Sequence, residues 1–158
     1  MKRLEIRDFR AGDEAALHAV FHSAVHMTAA QSYTPLQLDA WAPHEIDMSA
    51  WTRRMRELRP FVIEAGGRIV GYADVQANGY MDHFFVAGAC ARKGVGTALM
   101  NHILDVARQR DIESLTSDVS RNAQPFFEKF GFVVVEQRTP TVRGVVVPNA
   151  RMRKSLTQ

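Results

Sequence analysis

One cysteine, Cys90, stands in 158 residues, which excludes an internal disulfide. As a nucleophile it would need a paired base, and as a small buried residue it needs nothing, so the second reading is preferred. No run approaches the ~20 apolar residues of a membrane span. The opening Met1-Lys2-Arg3-Leu4-Glu5-Ile6-Arg7-Asp8 lacks the apolar core of a secretion signal. These absences lead to the expectation of a cytoplasmic protein with no membrane partner. The net charge is a mild +3 without a dense basic stripe, which argues against a nucleic-acid partner and suits an anionic ligand. There is no internal repeat, low-complexity tract or linker. With 46% hydrophobic and 23% charged residues, the chain reads as a single domain, 1–158, with one sizeable core.

What is present is concentrated between Val86 and Met100. An apolar strand runs into Gly88, Arg92, Lys93, Gly94 and Gly96 and then directly into the helical pattern Val95, Leu99, Ile103, Val106. Such a turn makes an anion site. Glycine lets the backbone approach a ligand, the first helical N–H groups have no intrahelical partner, and the dipole adds positive charge to that of Arg92 and Lys93. A phosphate or pyrophosphate suits it. The spacing fits neither the Walker loop nor the dinucleotide fingerprint, because Thr97-Ala98-Leu99 follow Gly96.

Elsewhere strand and helix patterns alternate. A strand around Leu4 and Ile6 precedes a helix opened by Gly12-Asp13, and short helices starting near Pro35 and Ser49 follow. Phe61–Ala65 and Arg68–Gln76 read as a hairpin around Gly66-Gly67, and Tyr80–Val86 as the next strand. After the helix from Gly94 to about Arg110 come a strand at Leu115–Val119, a helix at Asn122–Phe130, and closing strands at Phe132–Gln137 and Val142–Met152.

The loop Ala91-Arg92-Lys93-Gly94-Val95-Gly96 resembles the acetyl-coenzyme A pyrophosphate loop, [QR]-x-x-G-x-[GA], of the GCN5-related N-acetyltransferases, with Ala91 at the position of the leading Gln or Arg. Ser120–Phe132 resembles the same family's N-x-x-A-x-x-[LF]-Y-x-K-x-G-F element. Ala123, Phe126, Lys129, Gly131 and Phe132 are in register, while Ser120 replaces the asparagine and Phe127 the tyrosine. That tyrosine is often the family's general acid, a role phenylalanine cannot fill. Phe21–Ala29, Tyr33-Thr34-Pro35, Trp41-Ala42 and Pro125-Phe126-Phe127 are similar to the bacterial YafP-type members, in which phenylalanine also occupies the tyrosine position.

The resemblance implies an α/β fold with a mixed, mostly antiparallel sheet of about seven strands flanked by helices, splayed at a parallel pair where the donor binds. It implies direct transfer of an acetyl group from acetyl-coenzyme A, as co-substrate, to an amine. The implied donor contacts are Phe84, Phe85, Val86, Arg92, Lys93, Gly94, Val95, Gly96, Thr97, Ser120, Phe126 and Phe127. A small amine is the preferred acceptor; a protein or peptide acceptor and a non-catalytic acyl-coenzyme A sensor are the alternatives. The state of assembly is open between monomer and homodimer.

The base follows from strand alternation. Tyr80, Asp82, Phe84 and Val86 share one face, and a carboxylate on an apolar strand is costly unless partnered or used. Asp82 is the first candidate, to be desolvated by Tyr80 and Phe84; Asp118 on the neighbouring strand is the second, and His83 competes if the faces are reversed. Met27, Tyr33, Trp41 and Tyr80, with Trp51, are candidates for the acceptor wall. His18, His22 and His26 recur every fourth residue, a spacing that can bind a metal, but no carboxylate or cysteine completes the set along the chain. They read as a solvated or pocket-lining flank and no metal is expected.

Overall fold

A computed structural model describes residues 2–157. The amino-terminal sheet has the order β1 (Leu4–Asp8), β2 (Phe61–Ala65), β3 (Arg68–Ala73), β4 (Phe84–Val86), each neighbour antiparallel. A second antiparallel sheet has the order β5 (Ser114–Ser120), β9 (Asn149–Ser155), β6 (Val133–Arg138). The expected seven-strand sheet is thus two sheets that meet at one parallel bridge, Tyr80 to Thr116. There the Met81 N–H donates to the Thr116 carbonyl at 2.8 Å and the Thr116 N–H to the Gly79 carbonyl at 3.1 Å. Past this bridge β4 and β5 share no ladder among the described residues, and a gap opens between them.

Helix α4 (Val95–Gln109) presents Leu99, Met100, Ile103 and Ala107 to a core that includes Ile63 and Val70 of the first sheet and Leu115 and Met152 of the second. Its heptad-like apolar stripe is what locks the two sheets together. The opposite face of the first sheet carries Val62 and Tyr72, covered by Leu17 and Val20 of α1 (Glu14–Ser23) and Met55 of α3 (Met48–Leu58). Between these helices lies α2 (Pro35–Trp41), fixed by a capping box in which Thr34 and Gln37 exchange hydrogen bonds and Pro35 fills the first turn. Asp47 caps α3 by accepting from the Ser49 and Ala50 N–H groups.

Three expectations about elements are corrected. The strand expected at Tyr80–Val86 is regular only from Phe84, because the buried Asp74 carboxylate accepts the His83 N–H at 2.6 Å and so takes up a donor that a continuous ladder would use. The closing strand expected at Val142–Met152 is split into a ribbon, β7 (Thr141–Val142) and β8 (Val145–Val146), followed by β9. Arg143 and Gly144, with φ of 48° and 80°, form the two-residue loop of that ribbon, the combination that a tight hairpin favours. The helix expected from Asn122 is the shorter α5 (Gln124–Lys129), with Pro125 in its first turn.

Candidate active site

On one side of the gap the backbone supplies the chemistry. β4 is an edge strand, so the main chain of Phe84, Phe85 and Val86 on the side away from β3 faces the gap. The chain then passes through a short 3-10 turn, Gly88–Cys90, and enters α4 at Val95 with Gly94 as its cap in the left-handed region, φ 86°. A side chain at Gly94 would meet nothing, but that backbone conformation disfavours one. The Ala98 N–H is bonded to the Gly94 carbonyl at 3.1 Å, whereas the N–H groups of Val95, Gly96 and Thr97 precede the first helical hydrogen bond, and no side chain caps them. Arg92 and Lys93 are exposed beside them, and the Val95 side chain is buried, leaving only its backbone for a ligand. Unpaired donors, two cations and a left-handed glycine fit a pyrophosphate. Gly96 has a packing role as well: a Cβ there would lie 3.2 Å from the Phe126 ring. Its smallness seats α5 against α4.

Phe126 also packs against Phe84, with ring centroids 5.6 Å apart, and Phe127 lies 5.5 Å from Phe84 and 5.0 Å from Phe132. Phe127 is 3% exposed and, with Ser120, lines the narrow opening between β4 and β5. Asp82, Asp118 and Trp41 line the same opening. The two candidate bases therefore reach one place, but in different states. Asp118 lies directly across from Arg151 of β9, whose Nε and Nη2 donate to its two oxygens at 3.0 and 3.2 Å, and the Tyr80 hydroxyl donates to it at 3.4 Å. This fork engages both oxygens of Asp118. Tyr80 is engaged there, its hydroxyl pushed up to about 12 by burial and then by the charges of Asp118 and Asp82, and it lines neither this opening nor the wider cleft beside it.

Asp82 is freer. Its carboxylate forms an ion pair with Arg54 of α3, lies 3.8 Å from His83 Nε2, and keeps 28% of its side-chain surface exposed. The desolvation expected from Tyr80 and Phe84 gives way to pairing with a cation from a distant helix. His83 does not open into the gap. Tyr72, fully buried and with its hydroxyl held well above the usual range by burial, lies 3.0 Å from His83 Nδ1, and the Asp82 carboxylate facing Nε2 favours the tautomer with the proton there, in which the phenol is the donor. Burial is the main cause that lowers His83 to about 4, with Asp82 opposing it and Arg54 adding to it, so the ring is neutral near pH 7. His83 orients Asp82 and is not itself a proton acceptor at that pH. Behind it Asp74, 2% exposed, is raised to about 6 by desolvation first, against its hydrogen bond from the His83 backbone.

A wider cleft of about 450 Å³ adjoins this opening, with Trp41 in the wall of both. Its lining includes His18, Phe21 and Trp51, with Glu45, Asp47, Arg54 and Arg143 as its charged groups. Trp51 stacks on Phe21 with centroids 5.5 Å apart, and its indole N–H donates to the Glu14 carbonyl at 2.8 Å. Of the residues expected in the acceptor wall, Trp41 and Trp51 line this cleft. Met27, 58% exposed, and Tyr33 line neither opening. Tyr33 is a buried strut whose hydroxyl donates to the Pro148 carbonyl at 2.5 Å and accepts the Arg121 N–H at 3.0 Å. Missed altogether were Arg54, which sits in an undistinguished run of charges, and Asp74, for which a signal existed: an acid ending the apolar run Ile69–Ala73.

Comparison with known proteins agrees with this geometry. The model of the acetyltransferase (GNAT) domain matches residues 29–156. The YafP protein of Escherichia coli K12, described as an uncharacterized N-acetyltransferase, is 35% identical over 153 residues, 97% of each chain. A GCN5-related N-acetyltransferase from Rhodopseudomonas palustris superimposes with a TM-score of 0.92 at 28% identity, over 99% of this chain and 98% of that one. The PaiA N-acetyltransferase of Thermoplasma acidophilum, solved with coenzyme A, shares the fold with a TM-score of 0.69 at 15% identity, over 97% and 99% of the two chains. An opened strand pair, an anion-binding helix start and these likenesses together identify the chain as a YafP-type member of the GCN5-related N-acetyltransferases, an enzyme whose acetyl donor is acetyl-coenzyme A.

Proposed function

We propose that residues 1–158 act as one domain that acetylates the amine of a small molecule, in the cytoplasm and with no nucleic-acid or membrane partner. The observation that carries this reading is the cleft of about 450 Å³ joined to the strand opening at Trp41, a volume within the range of small-molecule sites. A flat aromatic or aliphatic body lies against Trp41, Trp51 and Phe21, and Glu45 draws a cationic amine inward.

The donor's pyrophosphate rests on the backbone of Arg92–Thr97, its arm runs along Phe84–Val86, and Ser120, Phe126 and Phe127 flank it. Backbone N–H groups of the β4 edge polarise the thioester carbonyl. Asp82, directly or through one water, takes the ammonium proton, and the freed nitrogen lone pair attacks the carbonyl carbon. The C–N bond forms as the C–S bond breaks, and the thiolate takes its proton from solvent, because Phe127 has none to give. The products are an N-acetyl amide and coenzyme A. His83 and Arg54 hold the Asp82 carboxylate toward the opening.

The test is acetyl-coenzyme A consumption across a panel of small amines beside a panel of amino-terminal and lysine peptides. Turnover with amines and none with peptides is expected; the reverse overturns the acceptor. Phe127 favours one second reading, a sensor that binds acyl-coenzyme A without turnover. Tight donor binding with no product from any acceptor would be its result.

A further inference from the structure

Beside the acceptor cleft three imidazoles converge. His22 and His26 lie one turn apart where α1 passes into the single π-helical turn Ala24–Thr28, and His44 arrives from the loop between α2 and α3. Such π-turns recur at functional sites. The ring centroids are 4.2 Å apart for His22 and His26, 4.7 Å for His22 and His44, and 4.9 Å for His26 and His44. One ring nitrogen from each lies within 4.8 Å of the other two. The third ligand that the sequence failed to supply for the His18, His22, His26 series is thus a histidine from elsewhere, while His18 itself turns away to meet Trp51 edge-on at 5.1 Å.

The outer hydrogen bonds of two of the rings set which nitrogen of each is left to face the cluster. His26 Nε2 is 2.7 Å from the Ala42 carbonyl, which can only accept, so that nitrogen carries the proton and Nδ1 does not. His44 Nε2 lies 3.7 Å from an Asp39 oxygen, which favours the proton there and leaves Nδ1 as the ligand atom. A carbonyl and a carboxylate behind two ligating histidines are the partners that fix tautomer and ring orientation in metal sites. His22 Nε2 and His44 Nδ1 are 2.8 Å apart and hydrogen-bonded, and with His44 protonated at Nε2 the shared proton belongs to His22; an ion that takes both lone pairs moves that proton to His22 Nδ1 and opens the pair toward the separation of about 3.3 Å that ligand nitrogens take around a tetrahedral zinc ion at 2.0–2.1 Å.

We propose that His22, His26 and His44 bind a divalent cation of the zinc type, with Asp39 orienting His44 and the fourth position left to water. The acetyl transfer needs no such ion, so its role is structural. His44 lies between Pro43 and Glu45, both in the wall of the acceptor cleft, and an ion ties that wall to α1. The binding itself does not rest on the proposed function.

Tag-free protein is titrated with zinc by calorimetry and with cobalt by visible absorption. One zinc per chain and the intense d–d bands of tetrahedral cobalt are expected. His44→Ala, at a side chain 69% exposed and so harmless to the fold, weakens zinc binding at least about tenfold, as does His26→Ala, whereas His18→Ala does not. Absent binding, or binding unchanged in His44→Ala, overturns the site. Zinc also slows amide exchange of residues 42–47 in the parent and not in His44→Ala. Exchange that ignores zinc in the parent overturns the tie between ion and cleft wall.

Discussion

The donor and acceptor sides of the cleft are built by opposite means. The donor side is a short stretch of backbone, an edge strand, a left-handed glycine and a helix start, all between Phe84 and Thr97. The proposed acceptor side is a convergence of side chains from α1, Trp41 of α2, the loop before α3, α3 itself and Arg143 of the β7–β8 ribbon. Asp82 sits where the two meet, just before the donor strand and paired with Arg54 of the wider cleft. The largest effect should fall there. Asp82→Asn keeps shape and removes charge, and as loss of a general base it lowers kcat by about 10²–10⁴ with the KM for acetyl-coenzyme A unchanged. Asp118→Asn, at a carboxylate already forked by Arg151, lowers kcat far less and costs stability instead. Steady-state kinetics on both decide whether the base is single, and an equal fall in kcat would erase the distinction.

That contrast explains what the sequence could disclose. The donor loop was legible because its function is local: spacing of glycines, cations and the helix start lies within one stretch of chain. The hairpin at Gly66-Gly67 and the helix starts at Pro35 and Gly94 were legible for the same reason. The break in the strand at Asp82 and His83 was not, because it depends on Asp74 from the neighbouring strand taking the His83 N–H. Arg54 and His44 were silent because their partners are 28 and 22 residues away in sequence and no periodicity points to them. Tyr33 misled in the other direction. Its aromatic ring reads as a pocket wall, while its hydroxyl spans 115 residues to bond the Pro148 carbonyl.

Next in size is a pair of opposed titrations behind the donor strand. Asp74 is raised from 3.8 to about 6 by burial, so the folded state binds the extra proton, and its stabilising contribution, present below pH 3.8, is lost as pH rises through 6. His83 is lowered from 6.5 to about 4, so here the unfolded state binds the extra proton, and its contribution, present above pH 6.5, is lost as pH falls toward 4. Each amounts to about 3 kcal/mol, and in the same window they act in opposite directions. Denaturant unfolding between pH 4 and pH 7 should therefore find a shallow dependence in the parent. Asp74→Asn exposes the histidine, with stability falling on acidification, and His83→Gln exposes the aspartate, with stability rising. Parallel slopes in both variants would contradict the assignment.

Smaller still are charge changes on the donor loop. Arg92 and Lys93 are exposed and serve no packing role, so the double change Arg92→Glu and Lys93→Glu leaves the fold intact and raises the KM for acetyl-coenzyme A about tenfold, the equivalent of about 1.4 kcal/mol. The KM for the acceptor stays constant, which is the separation between the two sides that the comparison requires. Gly96→Asp is a poorer probe, because the added Cβ meets the Phe126 ring and disturbs the contact between α4 and α5 before any ligand is involved.

The smallest effect is expected on the acceptor side, at Glu45. It is exposed in the loop that also carries His44, and with Asp47 it contributes negative charge to a cleft that also holds Arg54 and Arg143. A solvated carboxylate near a cationic amine is worth up to about 1 kcal/mol, so Glu45→Gln should raise the acceptor KM no more than about fivefold. The effect should shrink with added salt, because an exposed pair is screened while aromatic contact with Trp41 and Trp51 is not. kcat and the KM for acetyl-coenzyme A should not move, since Glu45 lies in the wide cleft and not in the strand opening. A change in kcat at low salt would mean that Glu45 reaches the reacting nitrogen and that the acceptor side takes part in the chemistry. No change in any constant would mean that the aromatic wall alone holds the acceptor, which would then be selected by shape rather than by charge.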